Sequence, residues 1–104
     1  MSLILIYTTT KTKTEAKKIG QALTKNRLAG CVNIVDKMES IYVWDNKVES
    51  SKETILLIKT KKSLAKKVMA EIKKMHSYEC PCLICLPIVD GDKDYINWLI
   101  SGIQ

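Results

Sequence analysis

Five side chains in one ten-residue run have types that do chemistry. The run is His76-Ser77-Tyr78-Glu79-Cys80-Pro81-Cys82-Leu83-Ile84-Cys85. Thiolates and imidazole are good ligands for zinc and Cu(I), so His76, Cys80 and Cys82 are the candidate metal ligands. In an extended chain Cys80 and Cys82 share a face, whereas Cys85 points the other way. The cysteine pair therefore chelates only if His76 or another chain completes the set. Plainer readings exist for each residue. Free cysteine is among the most buried residue types, which makes Cys31 and Cys85 small hydrophobes by default. A cation at the end of a helix is favoured by the helix dipole, which accounts for His76 without a metal. Glu79 is a candidate general acid or base, yet no second carboxylate lies near it in sequence. No Ser/His/Asp or Cys/His nucleophile pattern and no Gly-rich phosphate loop occur. With four glycines in all, a backbone anion cradle is not expected. These residue types argue for binding, not for catalysis.

The elements that must position this run are legible from periodicity. Residues 3–9 form a continuous apolar, β-prone run, the pattern of a central strand covered on both faces. Thr12 and Glu15 match a capping box, with the Thr12 hydroxyl and Glu15 carboxylate expected to satisfy free amides at a helix start. Ala16, Ile19 and Leu23 then keep one apolar stripe to about residue 27. A long strand over 31–44 falters near Asp36-Lys37, which predicts a bulge or bend. After a turn at 45–47 and a polar stretch, a third strand is read at 54–59, so the two strands make a hairpin whose tip outreaches the sheet. A second helix follows at about 62–75 and a fourth strand at about 82–89. Pro87 lacks a ladder donor, which places that strand's end at an edge or bulge. Asp92 is an N-cap for a last helix that carries Tyr95 and Trp98 and is apolar around much of its girth.

The hairpin carries the clearest statement about partners. Ile41 and Val43 point to one face while Tyr42 and Trp44 point to the other, so both faces are apolar beside a tight turn. A small monomer has little core there to cover either one. Large aromatics dominate interface energetics, which favours burial against another copy of the chain over a ligand cage. The same argument applies to Tyr95 and Trp98. The chain is expected to be an obligate oligomer.

Length and charge bound the rest. A chain of 104 residues is read as one domain, 1–104, and 46% hydrophobic with 27% charged residues is globular composition. No apolar run reaches the roughly 20 residues of a membrane span. The first residues read as a strand and not a signal peptide, so the expected compartment is the cytoplasm, with the four cysteines as thiols or metal ligands. Of 17 Lys and Arg, 13 fall in segments 11–27 and 59–74, which hold only Glu15 and Glu71 as acids. Such asymmetry attracts polyanions, although charge runs are mostly solvated helix faces.

The order β-α-β-β-α-β-α, with right-handed crossovers, gives an α+β, ferredoxin-like antiparallel sheet with two helices on one face, an over-long hairpin and an added C-terminal helix. RNA-recognition domains share that core topology but expose stacking aromatics on central strands. Here the first strand offers Tyr7 alone and the third offers none, so a nucleic-acid partner is not expected for this chain.

Several segments together resemble the CutA-type divalent-cation-tolerance proteins. They are Leu28-Ala29-Gly30-Cys31-Val32-Asn33-Ile34, Ser40 to Trp44, Glu53 to Thr60, His76 to Glu79 with Pro81, and Leu86-Pro87 followed by Gly91 and Tyr95-Ile96-Asn97-Trp98. Order and spacing fit over essentially the whole chain. The resemblance implies a tight homotrimer, with Ile41, Tyr42, Val43, Trp44, Tyr95 and Trp98 at its interfaces. It further implies a non-enzymatic role linked to copper and other divalent metals, with no obligatory cofactor and with copper or zinc as the candidate metals. The alternative is a trimer like the PII signalling proteins, holding a small anionic ligand in inter-subunit clefts near Lys59, Tyr78 and Glu79. Some family members bind copper at positions that match Tyr7, Met75 and His76, of which only His76 is kept, with Cys80 and Cys82 as softer substitutes. Ser77 stands where the family usually has proline, and Cys82 where it has glutamate.

Overall fold

A computed structural model describes residues 2–104. Eight residues, all buried except the half-buried Leu5 and Tyr7, form β1 (Leu3–Thr10), and the helix that follows, α1 (Lys13–Lys25), starts where Thr12 Oγ1 accepts the Glu15 N–H at 3.1 Å. Then come β2 (Cys31–Trp44), β3 (Lys47–Lys61), a short 3-10 turn over Lys62–Leu64, α2 (Ala65–Met75), β4 (Ile84–Ile88) and α3 (Lys93–Ser101). The strands lie in the order β2-β3-β1-β4, and every neighbouring pair is antiparallel. This is the expected α+β, ferredoxin-like sheet. Pro87 sits on β4, an edge strand, where its missing N–H costs no ladder bond.

The two sheet faces are treated differently. Ile4 and Ile6 of β1 and Leu56 and Ile58 of β3 pack against Ala16, Ile19 and Leu23 of α1 and Val68 and Ile72 of α2, which makes the main core. On the other face only one end is covered, where Leu99 and Ile103 of the α3 segment pack on Leu3 and Ile88. Gly30 permits that packing, since a Cβ there would lie 2.6 Å from the Leu99 carbonyl oxygen.

The faltering alternation near Asp36 is a β-bulge between Val35 and Met38, with Lys37 at φ 60°. Asp36 Oδ1 holds it by accepting the Lys37 N–H at 2.8 Å and the Thr54 hydroxyl at 2.9 Å. The extra residue switches parity. Cys31, Asn33 and Val35 before the bulge and Met38, Ser40, Tyr42 and Trp44 after it all pair with odd-numbered residues of β3, and so share the open face. The tip is a two-residue turn with Asp45 at φ 49° and Asn46 at φ 63°, the mirror-image geometry that fits twisted strands.

Four boundaries differ from the sequence reading. The third strand begins at Lys47 and not at 54, because ladder bonds are made by the backbone and pair even the polar residues 49–52 with 39–42. β4 begins at Ile84, leaving Cys80 to Leu83 irregular, and the first turn before α2 is 3-10. α1 stops at Lys25, since Arg27 takes φ 57°. The capping box is half formed: the Glu15 carboxylate turns away to bond Ser77.

Candidate functional site

The loop after α2 is held from three directions, and His76 is its pivot. The His76 N–H ends the helix by donating to the Ile72 carbonyl at 2.9 Å, and the ring then turns inward and is buried. Its Nε2 lies 2.7 Å from the Thr9 carbonyl oxygen, which can only accept, so Nε2 carries the proton. Its Nδ1 accepts the Tyr78 N–H at 3.0 Å. The expected role of His76 as a cation at the helix end is thus replaced by a bridge between β1 and the loop. Ser77 is clamped next door: its N–H and hydroxyl donate to the two Glu15 carboxylate oxygens at 2.7 and 3.0 Å.

Glu53 of β3 is the second anchor. Its Oε2 accepts from the Tyr78 hydroxyl at 2.9 Å and the Thr9 hydroxyl at 3.2 Å, while Oε1 accepts from the Ser40 hydroxyl at 2.6 Å. Burial first, and then this bond to the Glu53 carboxylate, push the Tyr78 phenol up to about 12. Glu53 was not among the sequence candidates. Its signals were its place as the last acid before the apolar run of β3 and at the head of the family-like segment Glu53 to Thr60.

A groove of about 780 Å³ opens beside this network at the base of the hairpin. Tyr42, Trp44 and Tyr78 supply aromatic walls, and Glu49, Glu53 and Glu79 supply carboxylates, with Ser51 and Cys80 between them. No Lys or Arg lines it; among the described residues the ion pair found between a Lys or Arg and a carboxylate is Lys74–Glu71, and the His76 Nδ1 that accepts from Tyr78 lies 3.7 Å from Glu15. In a chain of net charge +6, this lining gathers three carboxylates with no basic residue among them.

The other candidates fall elsewhere. Within one chain Lys59 lies apart from Tyr78 and Glu79, with which it was expected to line a cleft between subunits. It donates to the Tyr95 hydroxyl at 2.9 Å, 5.1 Å from that ring's centroid, at the α3 end of the sheet, and that bond raises its pKa. Cys80 is exposed at the groove. Cys82 is half-buried, and its thiol is pushed up first by burial and then by the Glu53 charge, which disfavours the thiolate a metal needs. Cys85, expected to be buried, is exposed on the edge strand β4, with its thiol 3.8 Å from the Met69 sulfur of α2. Cys31 is half-buried beside the α3 cluster. All six proposed interface residues are exposed, with Trp44 at 67% and Ile41 and Val43 at 70% each. Tyr95 and Trp98 stack with centroids 5.6 Å apart. Val35, Ile84 and Leu86 of the open face and Val48 of the hairpin join this exposed apolar set, and the sequence reading had not singled them out.

The sequence profile of the CutA1 divalent ion tolerance protein matches residues 4–101. This chain belongs to the CutA1 divalent ion tolerance family. It is 37% identical to the divalent-cation tolerance protein CutA of Thermus thermophilus over 91% of this chain and 92% of that one. It is 38% identical to the chloroplastic protein CutA of Arabidopsis thaliana over 97% of its own length, yet spans only 56% of that plant protein. Among solved structures, CutA1 from Oryza sativa superposes with a TM-score of 0.96 at 36% identity, covering 100% of this chain and 95% of the other. The Archaeoglobus fulgidus protein, described as a periplasmic divalent cation tolerance protein, gives 0.93 at 33% identity, covering 98% and 99%.

The family name raises the question of a metal, and one CutA1 chain does not present a ready site. Both ring nitrogens of His76 are spent on backbone partners. Among the described residues no group of three His, Cys, Asp or Glu side chains is placed to hold an ion. His76, Cys80 and Cys82 therefore do not form a ligand set within the single chain. Among the described residues no helix is long and apolar enough to cross a membrane.

Proposed function

We propose that this CutA1-family chain works as a non-enzymatic homotrimer that binds or responds to divalent metal ions, copper among them, with any ion held by donors from more than one chain. The observation that carries the reading is the hairpin. Ile41 and Val43 on one face and Tyr42 and Trp44 on the other stand exposed where the chain has no further layer to cover them. Apolar burial is worth about 25 cal/mol per Å² and an aromatic side chain offers about 150–250 Å², so leaving this surface in water is costly. The outer edges of β2 and β4 point the same way, since both are unpaired ladder edges of a four-stranded sheet. The exposed apolar open face around Val35, Ile84 and Leu86 supports burial between sheets.

The chemistry of the groove bears on the ligand. Three carboxylates and three aromatic rings without a lining Lys or Arg favour a cation over the small anion of a PII-like reading. Exposed Cys80 is the softest donor at that rim. The lone histidine, fully engaged by backbone groups, is not free to act as an acid or base, which supports a binding role. Four free cysteines suit a reducing compartment such as the cytoplasm.

Native mass spectrometry with and without copper and zinc tests the reading. Three chains of 11.8 kDa, about 35 kDa, carrying stoichiometric metal are expected. Replacing Cys80 and Cys82 together by Ser should then remove the bound metal and leave the assembly intact. A monomer, or a trimer that takes up no metal at all, would overturn the corresponding half of the proposal.

A further inference from the structure

The outer layer of the fold is a second charged surface, opposite in sign to the groove. Nine lysines on α1, the 3-10 turn and α2 are all exposed. Only two acids share these elements: Glu15, which accepts from Ser77 and keeps its charge, and Glu71, which lies 3.9 Å from Lys74, so the layer keeps a large positive excess. The two helices pack side by side on one face of the sheet, so their charges add over a continuous surface. We infer that this lysine face docks the phosphate backbone of double-stranded nucleic acid without reading its sequence.

The make-up of the face selects that partner among polyanions. All six aromatic residues lie elsewhere, on β1, the hairpin, the loop at Tyr78 and α3, so the helix layer has no platform on which unpaired bases could stack. The exposed large apolar residues also lie off this layer, except Met75 at the last position of α2, so the layer lacks the apolar stripe that inserts between lipid headgroups. The basic residues there are lysines, which act as point charges on phosphate and do not make the bidentate base contacts of arginine; Arg27, the chain's one arginine, lies in the loop before β2. Charge alone, spread over a surface without stacking or insertion groups, is the footprint of backbone binding. The inference concerns a different face from the metal-binding reading and does not depend on it.

Fluorescence anisotropy with a short labelled DNA duplex tests it across a salt series from about 50 to 200 mM. Two variants are used: Lys66→Glu with Lys67→Glu on α2, and Lys18→Gln with Lys25→Gln on α1. Binding is expected to be equal for unrelated sequences and to weaken steeply with salt. Each double variant should lose about tenfold or more in affinity, and the salt slope should fall by about one for each phosphate contact removed. Melting temperature and native mass, measured beside each titration, separate lost binding from lost folding, and the second pair keeps the test open if the first misfolds. No binding at the lowest salt overturns the inference. So does binding that neither pair weakens, or lysine-dependent binding to phosphatidylserine vesicles with none to the duplex.

Discussion

β3 passes through two environments, and the contrast between its halves explains most of this molecule. From Thr54 to Thr60 alternate residues are fully buried under α1 and α2, and Leu56 and Ile58 are inaccessible. From Lys47 to Lys52 the same strand keeps its ladder with β2, yet no residue is buried. Hydrogen bonding is continuous across both halves; cover is not. Backbone pairing alone is enough to extend a hairpin, but a layer on top is what turns apolar side chains into core. The covered half is complete within one chain. The uncovered half of β3 is polar apart from Val48, but the β2 arm paired with it carries Ile41, Tyr42, Val43 and Trp44 without a layer, which is why the hairpin reads as an interface.

The sharpest way to break that contrast is Trp44→Ala. Truncating a buried aromatic costs about 3–5 kcal/mol, here at each interface of the proposed trimer. The expected outcome is a shift in native mass from trimer to monomer, and a variant as large and as heat-stable as its parent would refute the interface reading. Ile58→Ala probes the covered half. A loss of about 2–5 kcal/mol is expected from the transfer and cavity terms, seen as a lower melting temperature at every protein concentration. A change confined to the assembly equilibrium would mean that the two halves are not independent.

Tyr78→Phe sits at the junction and should cost the least, about 1 kcal/mol for one lost hydrogen bond to Glu53. It also has a pH signature. The Tyr78 phenol, raised from 10.0 to about 12, binds its proton more tightly in the folded chain than in the unfolded one. Its contribution is therefore fully present below pH 10 and is lost as pH rises towards about 12. Denaturant midpoints measured across that window should fall in the parent and flatten in the variant. Parallel curves would show that ionisation of Tyr78 is not coupled to the fold.

Local pattern made much of this legible. The 3.6-residue stripes of α1 and α2, the odd-even stagger broken at Asp36-Lys37, the Asp45-Asn46 turn and the edge position of Pro87 each follow from a few neighbouring residues. The candidate site was legible only as a list of residue types. Cys80 and Glu79 do meet Tyr42 and Trp44 at one groove, but Lys59 is drawn to Tyr95 at the other end of the sheet, and Cys85 lies outside the core. Where each of these side chains goes depends on which strand becomes an edge and where α3 lands.

What the sequence determined by itself is the set of elements, their order and the two-sided apolar hairpin, because periodicity and turn chemistry act between residues a few positions apart. Only the tertiary structure decided what His76, Ser77 and Tyr78 do. Their partners Thr9, Glu15 and Glu53 lie 67, 62 and 25 residues away. A hydrogen bond is made only when topology brings a donor and an acceptor to about 3 Å, and no local pattern encodes that distance.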